Sequence, residues 1–290
     1  MRVALLHNPT AGGEDHTDAE LTELVTRNGH ELVHLVTRVS ELTAALHRAP
    51  CDLVVVAGGD GTVGRAACEL AGWQVPLSIF ALGTANNTAR SLSLPVAHKH
   101  VARTWNGGAR VPFDLGILGD GTVRRRFAEA VGWGVFASVV AAAKEQGDRK
   151  SVRKTLKRDR KLFQATSVAA IAQNYTITID GRDVSGDYLL VEVMNVPLLG
   201  PRLRVSPLSD ASDGVFELVL ASSHHRRSLD ELARTGEITE PLALRVERGK
   251  EITVETSEPI AHVDGRLWRH APGIHSFDIS VEASAIHYLR

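Results

Sequence analysis

The sequence predicts an α/β protein in which a doubly wound parallel sheet is followed by a β-rich second domain. Three observations carry this. Short apolar runs alternate with helix-compatible segments four times within about the first 90 residues. The third run, Asp52–Val56, is rich in β-branched residues and ends in Ala57-Gly58-Gly59-Asp60-Gly61-Thr62-Val63, a glycine-rich turn leading into a helix. Beyond Pro112 the pattern changes to strand-like alternation punctuated by Asp-Gly turns.

Taken in order, Val3–Leu6 reads as the first strand and runs into His7-Asn8-Pro9-Thr10-Ala11-Gly12-Gly13, a loop of turn formers. Thr17 to Glu20 has the spacing of a capping box, and Leu21, Leu24 and Val25 form one helical face. Gly29 supplies a stop. Glu31–Thr37 reads as strand two, and Ser40 as the cap of a helix over Glu41–His47. After the glycine turn, a helix is expected from Arg65 to Leu70. Pro76–Leu82 is strand four, ending in a second small, polar turn, Gly83-Thr84-Ala85-Asn86-Asn87. Ligands of such sheets sit at the carboxyl edge, so the Asn8, Gly58 and Thr84 loops are expected to converge on one site.

The expected domains are 1–113 and 114–290. In the second, Phe113–Leu118 and Arg124–Ala130 alternate like strands around a Gly119-Asp120-Gly121 turn, and Gly132–Ala143 reads as a turn and then a helix. From Tyr175 onward strands dominate, with hairpin turns expected at Asp180-Gly181, Asp213-Gly214 and Asp264-Gly265, and few helices. The last strand candidate, Ser284–Leu289, could return to the first domain; the residues leave this open.

A strand, a glycine-rich turn and a helix N-terminus together suit a phosphate. Glycines allow close backbone approach, and free N–H groups with the helix dipole face the anion. Asp60 is acidic and is better suited to a metal ion, a hydroxyl or an orienting hydrogen bond. A tight turn without a ligand would carry the same glycines.

The formal net charge is −1, so no global attraction to nucleic acid or anionic lipid follows. The two cysteines, Cys51 and Cys68, form no disulfide framework, which points to a reducing cytoplasm. The chain enters a strand at once, without the shape of a signal peptide. Its longest nearly apolar stretch, Ala130–Ala143, is too short to span a bilayer. A local excess of charge lies between Lys144 and Lys161. There nine basic residues face Glu145, Asp148 and Asp159, a balance of 9 − 3 = +6. This segment could sit on an anionic membrane from the inner face, or be a solvated helix face.

Asn8-Pro9-Thr10-Ala11-Gly12, Gly58-Gly59-Asp60-Gly61-Thr62 and Leu82-Gly83-Thr84-Ala85-Asn86-Asn87-Thr88-Ala89-Arg90 resemble the three nucleotide loops of the diacylglycerol kinase catalytic-domain family. This family includes bacterial diacylglycerol kinases and sphingosine kinases. Asp114-Leu115-Gly116, Gly132-Trp133-Gly134, Asn195, Pro207 through Asp213-Gly214, and Asp264-Gly265 follow in family order, so the resemblance spans nearly the whole chain. A single Gly-Gly-Asp-Gly-Thr could also indicate an NAD kinase or a phosphofructokinase relative; the Gly83–Asn86 loop and the Pro207–Gly214 stretch favour the lipid-kinase branch. The resemblance implies a nucleotide-binding α/β domain followed by a β-sandwich-like domain, with the active site in the cleft between them. It implies transfer of the γ-phosphoryl of Mg-ATP to a lipid hydroxyl. Asn8, Thr10, Gly12, Thr37, Gly58, Gly59, Gly61, Thr62, Thr84 and Asn86 would carry the nucleotide, and Asp60 and Asp264 are the candidates for proton transfer. Asp114 and Asp213, with main-chain help at Asp210 and Val215, would hold a structural magnesium, a hard ion that takes oxygen ligands.

Three departures stand out. The family's late Asp-Gly-Glu supplies a glutamate base, and here that residue is Arg266, which keeps its proton. Gly64-Arg65 stands where the family carries Asn-Glu, and Phe136 where it carries an aspartate. A general base contributes about 10²–10⁴-fold in rate. The alternatives to a lipid kinase are therefore a silent nucleotide- or lipid-binding homologue and a kinase for a non-lipid alcohol. His262 and His270 flank the Arg266 turn and read as surface or packing residues; His224-His225 reads as a solvated loop. The acceptor and the oligomeric state are left open.

Overall fold

The computed structural model describes residues 1–13, 16–95, 97–146, 151–239 and 243–290. The chain separates into two compact units, one built from Met1–Phe113 and Ser284–Arg290, the other from most of 114–283.

The first unit is a β/α alternation: β1 (Arg2–His7), α1 (Asp18–Arg27), β2 (Glu31–Val36), α2 (Leu42–Arg48), β3 (Leu53–Gly58), α3 (Asp60–Glu69), β4 (Leu77–Ala81), α4 (Asn87–Ser91) and α5 (His98–Thr104). The strands are parallel in the order β2-β1-β3-β4. The end of the chain adds to this sheet: Tyr288 pairs with Leu77 in parallel, and Ala109 and Arg290 exchange backbone hydrogen bonds. β3 is buried at every position, as a central strand covered on both faces must be. On one face Val3, Leu5, Leu53, Val55 and Phe80 pack with Leu21 and Val25 of α1 and with Val101 and Trp105. The alternate residues Ala4, Leu6, Val54 and Val56 point the other way, where α2 and α3 bury Leu42, Leu46, Val63 and Ala66. Trp105 stacks on Phe80 at 5.6 Å, and its buried indole N–H donates to Ser78 Oγ at 2.9 Å.

The Thr17–Glu20 box forms: the Thr17 hydroxyl accepts from Glu20 N at 3.2 Å, and Glu20 Oε2 accepts from Thr17 N at 2.9 Å. The Thr17 N–H, and then its hydroxyl, donating to the Glu20 carboxylate hold it below its ordinary range. Two local expectations shift. Ser40 makes no side-chain cap; a single 3₁₀ turn, Val39–Glu41, leads into α2 instead. The helix after the glycine turn begins at Asp60, so Asp60, Gly61 and Thr62 form its first turn, with Gly59 as the N-cap.

The second unit contains β5 (Arg110–Gly119) from Asp114 onward, β6 (Arg124–Phe127), β7 (Ala130–Gly134), α6 (Val135–Gln146), α7 (Val152–Ala169) from Arg153 onward, β8 (Gln173–Ile179), β9 (Arg182–Asp183), β10 (Gly186–Tyr188) and β11 (Leu190–Met194). Then come β12 (Leu198–Leu199), β13 (Leu203–Arg204), β14 (Phe216–Ala221), α8 (Arg226–Thr235), β15 (Arg245–Gly249), β16 (Glu251–Thr256), β17 (Ile260–Val263), β18 (Arg266–Arg269) and β19 (His275–Leu289), whose last residues belong to the first unit. One antiparallel sheet runs β15-β14-β11-β7-β17-β18. The other places β10, β8, β16 and β19 side by side, with β5 and β6 beyond β19. Between them lie Phe127, Trp133, Tyr175, Ile177, Val191, Phe216, Leu218, Val254 and Phe277, the filling of a β-sandwich. The outer face of the first sheet packs Phe136, Phe163, Leu229 and Leu232 of α6, α7 and α8.

Asp180-Gly181 and Asp264-Gly265 close two-residue hairpins with both residues at positive φ, as a type I′ turn requires. Asp213-Gly214 differs: it lies in the loop before β14, whose partners are β11 and β15, so it is no hairpin. The helix α8 is also an addition to the expected strands, and the His224-His225 pair falls in the 3₁₀ turn that leads into it.

The Thr17 cap is exposed and local, so its removal should act on α1 alone. Thr17→Ala is expected to cost about 1 kcal/mol, roughly a 3 °C fall in Tm by differential scanning calorimetry. No change would show that the box contributes nothing to the first unit.

Candidate functional site

In the first unit, three loops leave the carboxyl ends of β1, β3 and β4 and meet. Asn8 Nδ2 donates to Thr62 Oγ1 at 2.9 Å, joining the first loop to the first turn of α3. Asn8 Oδ1 in turn accepts from the backbone N–H and the hydroxyl of Thr10. Asp60 Oδ1 accepts from Thr88 N at 3.2 Å, joining α3 to the third loop. Glycine makes the approach possible. A Cβ on Gly12, at φ +63°, would lie 2.1 Å from the carbonyl oxygen of Leu82. A Cβ on Gly83 would lie 2.4 Å from Gly59 Cα. Gly61, by contrast, faces open space, with nothing within 4 Å of an added Cβ.

The expected nucleotide residues thus divide by what they do. Gly12, Gly58 and Gly59, with Gly83 beside them, set the spacing; Asn8 and Thr62, with the proton-transfer candidate Asp60, tie the loops, and Thr10 holds Asn8 within the first. Asn86 is buried in the left-handed conformation and closes its own turn, accepting from Gly83 N at 2.9 Å and donating to the Gly83 carbonyl at 3.0 Å. Thr84 lies half-buried on the same loop, and Thr37 is exposed just beyond the end of β2. The rim that results presents the N-terminus of a ten-residue helix at the carboxyl edge of a parallel sheet, an arrangement suited to phosphate.

In the second unit, the hairpin residue Asp264 stands at φ +47°. Its carboxylate accepts from the backbone N–H groups of Ala128, Glu129 and Ala130 at 2.9, 2.8 and 3.2 Å. Burial pushes this carboxyl above its usual range, against the pull of the three N–H groups. The geometry makes Asp264 a clamp between its hairpin and the 128–130 bend. Asn195 tightens the same bend, donating to the carbonyls of Asp114 and Ala128 at 2.8 Å each. Arg266 opens β18 and is exposed.

The residues implied as holders of a structural magnesium do not fit a bound divalent ion. Asp114 Oδ2 accepts from Gly214 N at 2.7 Å. The main-chain carbonyl of Asp210, the atom implied as a ligand, accepts from Asp213 N at 3.3 Å, and the Asp210 carboxylate accepts from the N–H and hydroxyl of Ser212 at 3.0 and 2.7 Å. Asp213 Oδ1 accepts from Val215 N at 3.1 Å, and its other oxygen meets the Arg248 guanidinium. Among the described residues no three acidic, histidine or cysteine side chains gather as a metal site.

One buried pair joins residues far apart in the sequence. Glu192, wholly buried on β11, lies 2.8 Å from His262 Nε2 on β17. Gly132 on the strand between them leaves the room: a Cβ there would fall 2.2 Å from the Glu192 carboxylate. Glu192 lies inside the apolar run Leu190–Met194, where only its charge marks it out. Phe136 packs near the pair, its ring 6.2 Å from His262 and 4.8 Å from Phe163.

Comparison with known proteins matches two parts of the chain. Residues 2–118 match the family described as diacylglycerol kinase catalytic domain, and residues 134–287 match the YegS C-terminal NAD kinase beta sandwich-like domain. A diacylglycerol kinase of Mycobacterium tuberculosis is 28% identical over 285 residues, covering 95% of this chain and 86% of that protein. A diacylglycerol kinase of Bacillus subtilis is 26% identical over 232 residues, covering 76% and 73%. The crystal structure of a diacylglycerol kinase from Bacillus anthracis shares the fold, with a TM-score of 0.73 at 20% identity over 99% of this chain and 96% of that one. Yeast NADH kinase complexed with NADH has a TM-score of 0.54 at 12% identity over 100% and 83%.

Burial raises the Glu192 carboxyl, with His262 opposing it. A carboxyl raised on folding contributes stability that is complete below its ordinary value of 4.5 and is lost as the pH rises through the folded value. Between pH 5 and 8 the wild-type Tm is therefore expected to fall further than that of Glu192→Gln. Parallel Tm–pH curves would show that Glu192 does not titrate across this window.

Proposed function

The chain belongs to the diacylglycerol kinase catalytic-domain family, and from that membership we propose that it is an ATP-dependent lipid kinase. It transfers the γ-phosphoryl of Mg-ATP, magnesium entering with the nucleotide, to the hydroxyl of a diacylglycerol-type lipid. The observation that carries this reading is the meeting of the three loops at the carboxyl edge of β1, β3 and β4, tied by Asn8–Thr62 and Asp60–Thr88. Phosphoryl transfer needs positioning and charge neutralisation more than covalent chemistry, and backbone cradles of this kind supply both. In this reading Asn8, Thr10, Gly12, Thr37, Gly58, Gly59, Gly61, Thr62, Thr84 and Asn86 form the nucleotide rim.

The proton of the acceptor hydroxyl is assigned to Asp60, which stands on the first turn of α3. Asp264, its carboxylate spent on three backbone N–H groups, serves by holding the 128–130 bend. Arg266, where the family has a glutamate, favours a slow enzyme. ATP consumption with diacylglycerol micelles tests this directly. Wild type should turn over, Asp60→Ala should lose about 10²-fold or more, and Arg266→Glu should gain activity. ATP binding without turnover in wild type, with activity appearing only in Arg266→Glu, would establish the silent homologue. Phosphorylation of a soluble alcohol in place of lipid would move the acceptor class.

We also propose that the protein works at the inner membrane face through its basic segment. Among the described residues no helix is long and apolar enough to cross a membrane. Lys144 lies on α6, and α7 carries Arg153, Lys154, Lys157, Arg158, Arg160 and Lys161; Arg149 and Lys150 lie outside the described residues. Arg158 pairs with Asp159, and Arg160 donates to the carbonyls of Pro201 and Arg202. Arg153, Lys154, Lys157 and Lys161 are exposed. A surface hollow of about 390 Å³ beside α7 is lined by Lys157, Arg160, Lys161 and by Arg234 of α8. At about 1 kcal/mol per charge near anionic lipid, four exposed cations are enough for reversible docking. Sedimentation with phosphatidylglycerol vesicles should be strong at low salt and lost at high salt or in the Lys157→Glu/Lys161→Glu double variant. Equal sedimentation with neutral vesicles would contradict it.

A further inference from the structure

We propose that Arg248 is a built-in cation that takes the place of the divalent metal implied for the Asp210–Val215 loop. The register places Arg248 of β15 directly opposite Glu217 of β14. From there its guanidinium reaches two carboxylates. Nε donates to Glu217 Oε1 at 2.9 Å, and one Nη donates to Asp213, four residues earlier in the loop that leads into β14. Glu217 is wholly buried, Asp213 is 29% exposed, and half of Arg248 reaches solvent. The planar fork of a guanidinium suits this bridging of two carboxylates, one on β14 and one in the loop before it.

The remaining donors point the same way. Gly214, at φ +72°, presents its N–H to Asp114, and the Asp210 carboxylate is turned onto Ser212. Asp213 has both carboxylate oxygens on protein donors, and Asp114 and Asp210 each have one. Magnesium requires an octahedral set of oxygens at short range. A second cation seated on Asp213 would stand against a guanidinium already in contact with it. The loop is pinned on one side by Asp114 through Gly214 and on the other by Arg248 through Asp213. Loop, β14 and β15 are thereby joined without a bound ion. Removing the guanidinium would leave Glu217 as an uncompensated buried charge, which is costly.

The test is thermal unfolding of the full chain without nucleotide, in magnesium and in EDTA at matched ionic strength. It reads stability alone, so its outcome is independent of whether the protein is an active kinase. Wild type is expected to unfold within about 1 °C of the same temperature in both, while Arg248→Met should lose about 4 °C or more. Arg248→Lys, which keeps the charge without the fork, should fall between the two and covers the case in which Arg248→Met fails to fold. A wild-type Tm that drops by several degrees in EDTA, or an Arg248→Met variant as stable as wild type, would overturn the proposal.

Discussion

The first unit rests on how closely two backbones can pass. Gly59 and Gly83 face each other at the ends of neighbouring parallel strands, and Gly12 lies against the Leu82 carbonyl; side chains at Gly12 or Gly83 would drive the loops apart. Everything that makes the rim follows from this contact. With the loops in touch, Asn8 can bond Thr62, and Asp60 can receive the Thr88 N–H. The buried run of β3 then aims the start of α3 at the edge of the sheet. The apolar packing of Leu5, Val55 and Phe80 below supports the edge without entering it. Core and site are thus separate in this unit: hydrophobic burial sets the strands, and small residues with side-chain amides set the loops.

The second unit solves a different problem, because its polar groups lie within a sandwich. Asp264 and Asn195 satisfy the backbone of the bend between β6 and β7 from two sides. Glu192 Oε2 and His262 Nε2 meet beneath α6, and Arg248 answers Glu217 and Asp213 at the far edge of the same sheet. The buried carboxyls among them, Glu192 and Glu217, each meet a specific side-chain partner, the condition under which such groups can be retained. Glu192, Glu217 and His262 sit on strands whose other face fills the apolar interior with Val191, Phe216 and Ala261. The same strand therefore carries a dry face and a polar one.

The sequence made the first unit legible because its signals are local. The alternation of strand and helix, the Thr17–Glu20 box and the two small-residue turns each lie within a few consecutive residues. Where reading failed there, the deciding factor was the exact start of a helix: Asp60 begins α3 where a turn was expected, and Ser40 lies in a 3₁₀ turn. In the second unit the Asp-Gly dipeptides at 180 and 264 announced hairpins correctly, but the same dipeptide at 213 did not, because its flanking strands pair elsewhere. The Glu192–His262 and Asp213–Arg248 pairs join residues 70 and 35 positions apart, and no local pattern encodes such a meeting. The helix α8 was missed beside a His-His pair that gave it no apolar start, although Leu229, Leu232 and Ala233 share its buried face.

The claim at the centre of this account is that the three-loop rim binds the phosphates of a nucleotide. Calorimetric titration of wild type and of Gly61→Val with Mg-ATP tests it most directly, since Gly61 lies in open space where a side chain would obstruct a ligand but not the fold. The account predicts saturable binding to wild type and its loss in a variant whose Tm is unchanged. No heat from wild type, or equal affinity in both proteins, would contradict it.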